Sequence, residues 1–113
     1  MGLATLETFD ALLYSTLAGD DDLAEIIALF IDEIPGRIGE LETAVESEDW
    51  AAVARLAHQL KGAGGSYGIE LLSQLANQLE LAARRPESQD DIRDAMAQMA
   101  DASRRIRHGA SPA

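Results

Sequence analysis

A chain of 113 residues with a formal charge of −11 and no cysteine is long enough for one buried core and too short for two. Without cysteine it has no disulfide framework, no thiol chemistry and no cysteine-based zinc site. The acidic excess lies in the first half, where thirteen acids face only Arg37 and Arg55, while residues 57–113 balance seven acids against seven bases, so the basic footprint of a nucleic-acid or anionic-membrane binder is missing.

The opening MGLATLETFD has no basic segment leading into an apolar run, and no stretch approaches the roughly 18 apolar residues of a membrane span. Gly2 superficially suggests myristoylation, but Leu6 stands where that pattern wants Ser or Thr. We expect a monomer in the cytoplasm.

Strand signals are absent and helical periodicity runs almost throughout, which predicts an all-α protein. A first helix is expected over about 6–17, with Leu6, Phe9, Leu13 and Leu17 on one stripe and Gly19 closing it. The acids Asp20, Asp21 and Asp22 supply a start for the second, since carboxylates favour the amide end of a helix. That helix keeps its rhythm through Leu23, Ile26, Ile27, Phe30, Ile34, Ile38, Leu41 and Val45. Pro35 is expected to bend it; a break at Pro35–Gly36 is the rival reading. Asp49 caps a third helix from Trp50 to about Tyr67, with Gly68 as its left-handed terminator. A fourth spans about 70–85 with Leu72, Leu75, Ala76 and Leu79 inward, stopped by Pro86. The fifth covers about 89–107 along Ile92, Met96, Met99, Ser103 and Ile106. The short connections predict one domain over 1–113: an antiparallel up-down-up-down four-helix bundle at about 21–107, an additional N-terminal helix, and a flexible tail at 108–113.

The stretch AHQLKGAGGSYG, residues 57–68, is unusual for a helix. An interior glycine is roughly 1 kcal/mol worse than alanine, yet Gly62, Gly64 and Gly65 follow His58 closely. At about 100° per residue, Ala51, Ala54, Gly62 and Gly65 fall within about 40° of His58, with Lys61 about 60° away. Val53, Leu56, Leu60, Ala63 and Tyr67 project to the opposite side. His58 is thus expected to face solvent from a surface made bare for a partner, with Ala51, Ala54, Arg55, Gly62 and Gly65 as docking residues. Lys61 is the sole lysine beside eight arginines, and its flexible ammonium suits an anion that moves, a phosphoryl group above all.

The run AHQLKGAGGSYGIELLSQLANQLE resembles the signature of histidine-containing phosphotransfer (HPt) domains of multistep phosphorelays, through His58, Leu60, Lys61, Gly62, Ala63 and Gly68. The resemblance continues upstream in LFIDEIPGRIGELETAVESEDWAAVARL, with Phe30, the helix-internal Pro35 and the pair Asp49–Trp50, and covers about 25–80. It implies a four-helix bundle with an extra N-terminal helix, a phosphoaccepting His58 whose phosphoryl group Lys61 stabilises, and response-regulator receiver domains as partners, a hybrid histidine kinase among the candidates. It also implies that Nε2 reacts while a neighbour orients Nδ1. Gln59 points too far aside, leaving a polar residue of the next helix, Gln78 or Glu80.

An imidazole is substantially neutral near neutral pH and offers a lone pair directly. No glycine-rich nucleotide loop or GxxxxGK[ST] motif is present, so a phosphotransfer protein without its own kinase domain, rather than an enzyme, is expected. No cofactor or metal is assigned to the chain; Mg²⁺ is expected in the partner receiver. Two alternatives are the phosphoaccepting domain of a chemotaxis-type histidine kinase and an adaptor that binds receivers without being phosphorylated.

Overall fold

Apolar residues recurring every three or four positions govern the backbone from Ala24 onward. The computed structural model, which describes residues 11–112, forms four helices: α1 (Ala24–Glu46), α2 (Trp50–Ser66), α3 (Glu70–Ala83) and α4 (Gln89–Arg105). Each packs on its neighbour in sequence and α1 closes the ring onto α4, the arrangement short connections impose on antiparallel helices. No strand is present among the described residues.

In α1 the buried stripe is Ile27, Phe30, Ile31, Ile34, Ile38, Leu41, Ala44 and Val45. Ile26, expected on that stripe, stands nearly half exposed. Pro35 lies inside α1 without ending it: burial of Ile34 and Ile38 on either side outweighs the amide that proline cannot donate. The acidic run acts one turn earlier than expected. Asp20 Oδ1 accepts from the Asp22 amide at 2.9 Å, and the Asp20 carbonyl accepts from Leu23 and Ala24, so the acids build the turn and Leu23 holds the N-cap.

Asp49 caps α2, its Oδ1 accepting from the Ala52 amide at 3.2 Å. Between α1 and α2 the backbone passes through Glu48 at φ 54°, the left-handed region that penalises residues with a Cβ. Gly68 takes the same region at φ 77° after α2. The nine largest fully buried side chains, from Ile27 and Ile34 in α1 to Ile92 and Met99 in α4, come from all four helices, and each contributes about 1.5–3 kcal/mol by leaving water.

Residues 11–17 are not helical, contrary to the expected first helix; its remaining residues, 6–10, lie outside the described ones. Leu13 forms a parallel bridge with Ile106 instead, its amide donating to the Arg105 carbonyl and its carbonyl accepting from Arg107, both at 2.8 Å. Thr16 donates to the Gly68 carbonyl at 2.9 Å and the Ser15 hydroxyl to that of Tyr67. Backbone groups at the ends of α2 and α4 have no partner within their helices, and satisfying them favours an extended strap over an isolated helix. Ile106 is extended to match, which ends α4 at Arg105. In the tail, His108 Nε2 lies 2.8 Å from Asp32 Oδ1 of α1.

Replacing Glu48 by glycine should relieve the left-handed strain and stabilise the fold by about 1 kcal/mol; urea unfolding measures it, and an unchanged midpoint contradicts the assignment.

Candidate functional site

The α2 side chains that reach the core are Val53, Ala54, Ala57 and Leu60, with Gly64 beside them. This stripe is turned toward α3 relative to the expected one; Leu56, Ala63 and Tyr67 are only partly buried. Ala54 is accordingly buried and cannot serve as a docking residue, a correction to its placement beside His58. The rotation has a local cause. A Cβ on Gly64 would lie 3.0 Å from the Ser73 backbone nitrogen and 3.4 Å from the Ile69 carbonyl, so the backbones of α2 and α3 meet where a side chain would separate them. The Ser73 hydroxyl also donates to the Lys61 carbonyl at 2.8 Å.

His58 projects from α2 with 62% of its side chain exposed. Ala51, Arg55, Gly62 and Gly65 are exposed around it, and a Cβ on Gly62 would meet nothing within 4 Å. The glycines therefore divide: Gly64 serves the packing of α2 on α3, while Gly62 and Gly65 leave the surface bare. On the α1 side a groove lined by Glu33, Arg37, Glu40, Leu41, Leu56 and Gln59 runs up to the residue next to His58.

Because α3 lies close alongside, Glu80 reaches under the imidazole. Its side chain is 7% exposed, and its two oxygens stand 3.2 and 3.1 Å from His58 Nδ1. Lys61 Nζ pairs with Oε1 at 3.0 Å and donates to Asn77 Oδ1 at 3.4 Å. Arg84, one turn further along α3, donates to Oε2 from Nε at 3.1 Å and Nη2 at 2.7 Å. The Arg84 bonds above all, then those from Lys61 and His58 and the Lys61 charge, outweigh burial and hold the Glu80 pKa down at about 2.

An ionised carboxylate can only accept, so Nδ1 carries the ring proton and donates it, leaving the lone pair on Nε2. The site thus presents an exposed imidazole oriented through Nδ1, with the Lys61 ammonium one turn away on the same carboxylate. Of the two residues expected to orient the ring, Glu80 does so and Gln78 is exposed. Arg84 and Asn77 were not anticipated. Their signal was the spacing Asn77, Glu80, Arg84, which places all three on one face of α3. No group of three or more His, Cys, Asp or Glu side chains among the described residues is placed to hold a metal ion, and no helix there is long and apolar enough to cross a membrane.

Comparison with known proteins places these features in a family. The model of the Hpt domain matches residues 25–107. The aerobic respiration control sensor protein ArcB of Escherichia coli K12 is 31% identical over 67 residues, 59% of this chain and 9% of ArcB; the ArcB of Shigella flexneri matches to the same extent. The sensor protein TorS of Escherichia coli K12 is 36% identical over 64 residues, 57% of this chain and 7% of TorS. The chain spans less than a tenth of the length of these relatives. No solved structure matches it at a comparable level.

The depressed Glu80 pKa sets a pH dependence. Its stabilisation is complete above the unfolded-state value of about 4.5 and is lost as pH falls through about 2. Urea unfolding should show Glu80→Gln less stable than wild type at neutral pH, with the gap closing toward pH 2; a gap that persists at the acid end contradicts the paired carboxylate.

Proposed function

Because the chain belongs to the Hpt domain family, whose members serve as phosphotransfer modules of phosphorelays, we propose that His58 accepts a phosphoryl group from the aspartyl phosphate of a response-regulator receiver domain and passes it to another receiver. The supporting observation is the ring itself, held by Glu80 at Nδ1 and open to solvent on a bare surface. The Nε2 lone pair attacks phosphorus, the bond from phosphorus to the aspartyl oxygen breaks, and its electron pair leaves with the receiver's carboxylate. The ring, now bonded to phosphorus at Nε2 and still protonated at Nδ1, carries a positive charge that the Glu80 carboxylate offsets. Reversal of the same step at a second receiver returns a neutral imidazole.

Lys61 stabilises the phosphoryl oxygens. Such transfer consists largely of positioning and charge stabilisation, and the reading places Mg²⁺ in the receiver with no cofactor held by this chain. Ala51, Arg55, Gly62 and Gly65 form the docking surface, and the groove between α1 and α2 extends it toward Leu56. A hybrid histidine kinase is a suitable source of the donating receiver.

The experiment is incubation of the purified chain with phosphorylated receivers, followed by mapping of the acid-labile label. Label on His58, abolished in His58→Gln with helicity unchanged by circular dichroism, is the expected result. Receiver binding without label would favour an adaptor, and labelling by ATP alone would overturn the non-kinase reading. Gly65→Leu should fold, because Ser73 Oγ at 3.6 Å is all a Cβ there would meet, yet slow transfer by obstructing the receiver; an unchanged rate removes Gly65 from the docking surface.

A further inference from the structure

Glu80 holds more positive charge than orienting a histidine requires. Two cations sit on separate oxygens of one carboxylate, Lys61 on Oε1 at 3.0 Å and Arg84 on Oε2 at 2.7 and 3.1 Å. The two differ in what they are free to do. Arg84 lies four residues from Glu80 on the same helix and grips it through two donors, a planar fork suited to holding a carboxylate in place. Lys61 comes from the other helix, one turn from His58, on a flexible stem with a second seat at Asn77 Oδ1.

We propose that Arg84 is a positioning residue: by anchoring Glu80 through Oε2 it frees Lys61 to leave Oε1 and follow the phosphoryl group on His58 Nε2. This rests on the reading of His58 as phosphoacceptor. A carboxylate as buried as Glu80 is costly without a cation beside it. Were Lys61 its sole counter-ion, moving toward the phosphoryl group would strand that charge in the interior and release the ring from its orientation. With Arg84 in place, Lys61 departs while Glu80 remains paired, ionised and under Nδ1. No bond is made or broken in this step; one ammonium changes anions.

The test is a double-mutant cycle of Arg84→Ala and Lys61→Ala, using a receiver domain that labels the wild-type chain. Arg84 is more than half exposed and each single variant keeps one cation on Glu80, so both single variants should fold, which circular dichroism checks. The double leaves the buried carboxylate without a cation, and if its helicity falls the spectroscopic readout below decides. Arg84→Ala is expected to slow phosphoryl acceptance on the order of tenfold, the size of one lost charge-assisted hydrogen bond, and to add no further loss in the Lys61→Ala background. A spectroscopic readout separates this from a structural effect: on phosphorylation the Lys61 ammonium ¹⁵N signal should shift in wild type and stay near its resting position in Arg84→Ala. Wild-type transfer in Arg84→Ala, equal losses in both backgrounds, or the same Lys61 shift with and without Arg84 would overturn the inference while leaving His58 as acceptor. Failure of the wild-type chain to label from any receiver would sink both.

Discussion

A carboxylate enclosed between two helices is tolerated only where donors surround it, and Glu80 meets that condition through His58, Lys61 and Arg84. The requirement runs both ways. The carboxylate needs the donors to remain ionised, and the imidazole needs the ionised carboxylate to keep its proton on Nδ1. Orientation, tautomer and an available lone pair at Nε2 therefore follow from one buried charge.

That charge is placed by backbone contact more than by side-chain fit. Gly64 lets α2 approach the start of α3 at Ser73, and the Ser73 hydroxyl ties back to the Lys61 carbonyl. With this end fixed, three further turns along α3 bring Asn77, Glu80 and Arg84 in succession under the face that carries His58 and Lys61. The same close approach turns Ala54 and Ala57 inward and leaves Gly62 and Gly65 outward. Small residues on one helix thus serve two surfaces, one turned into the protein and one turned out of it.

Much of this was legible in the residues alone. Apolar periodicity located all four helices, Asp49 and Gly68 marked the limits of α2, and the burial pattern carried α1 through Pro35 because a continuous stripe outranks one missing amide. Residues 11–17 misled for a physical reason: Leu13 and Leu17 have helical spacing, but the segment's amides and carbonyls find better partners at Arg105, Arg107 and Gly68. The facing of α2 was missed because a wheel drawn for one helix cannot register how closely its neighbour comes, and that depends on Gly64 meeting Ser73 at a distance in sequence. Exposure of His58 was deducible from its own helix. The Glu80–Arg84 pair, four residues apart, was within reach of spacing alone; the meeting of Lys61 and His58 on that same carboxylate became visible only once α3 was set against α2.

The contact at Gly64 has a thermodynamic corollary. Because main chain meets main chain there, with no rotamers between them, the spacing of the two helices has few alternative packings to sample. The conformational entropy of setting the imidazole against the carboxylate is therefore largely surrendered when the chain folds, and less of it would remain to be lost on docking a partner. Under the proposed relay, a site arranged in advance would let brief contacts suffice, so that one partner could be released before the next is met.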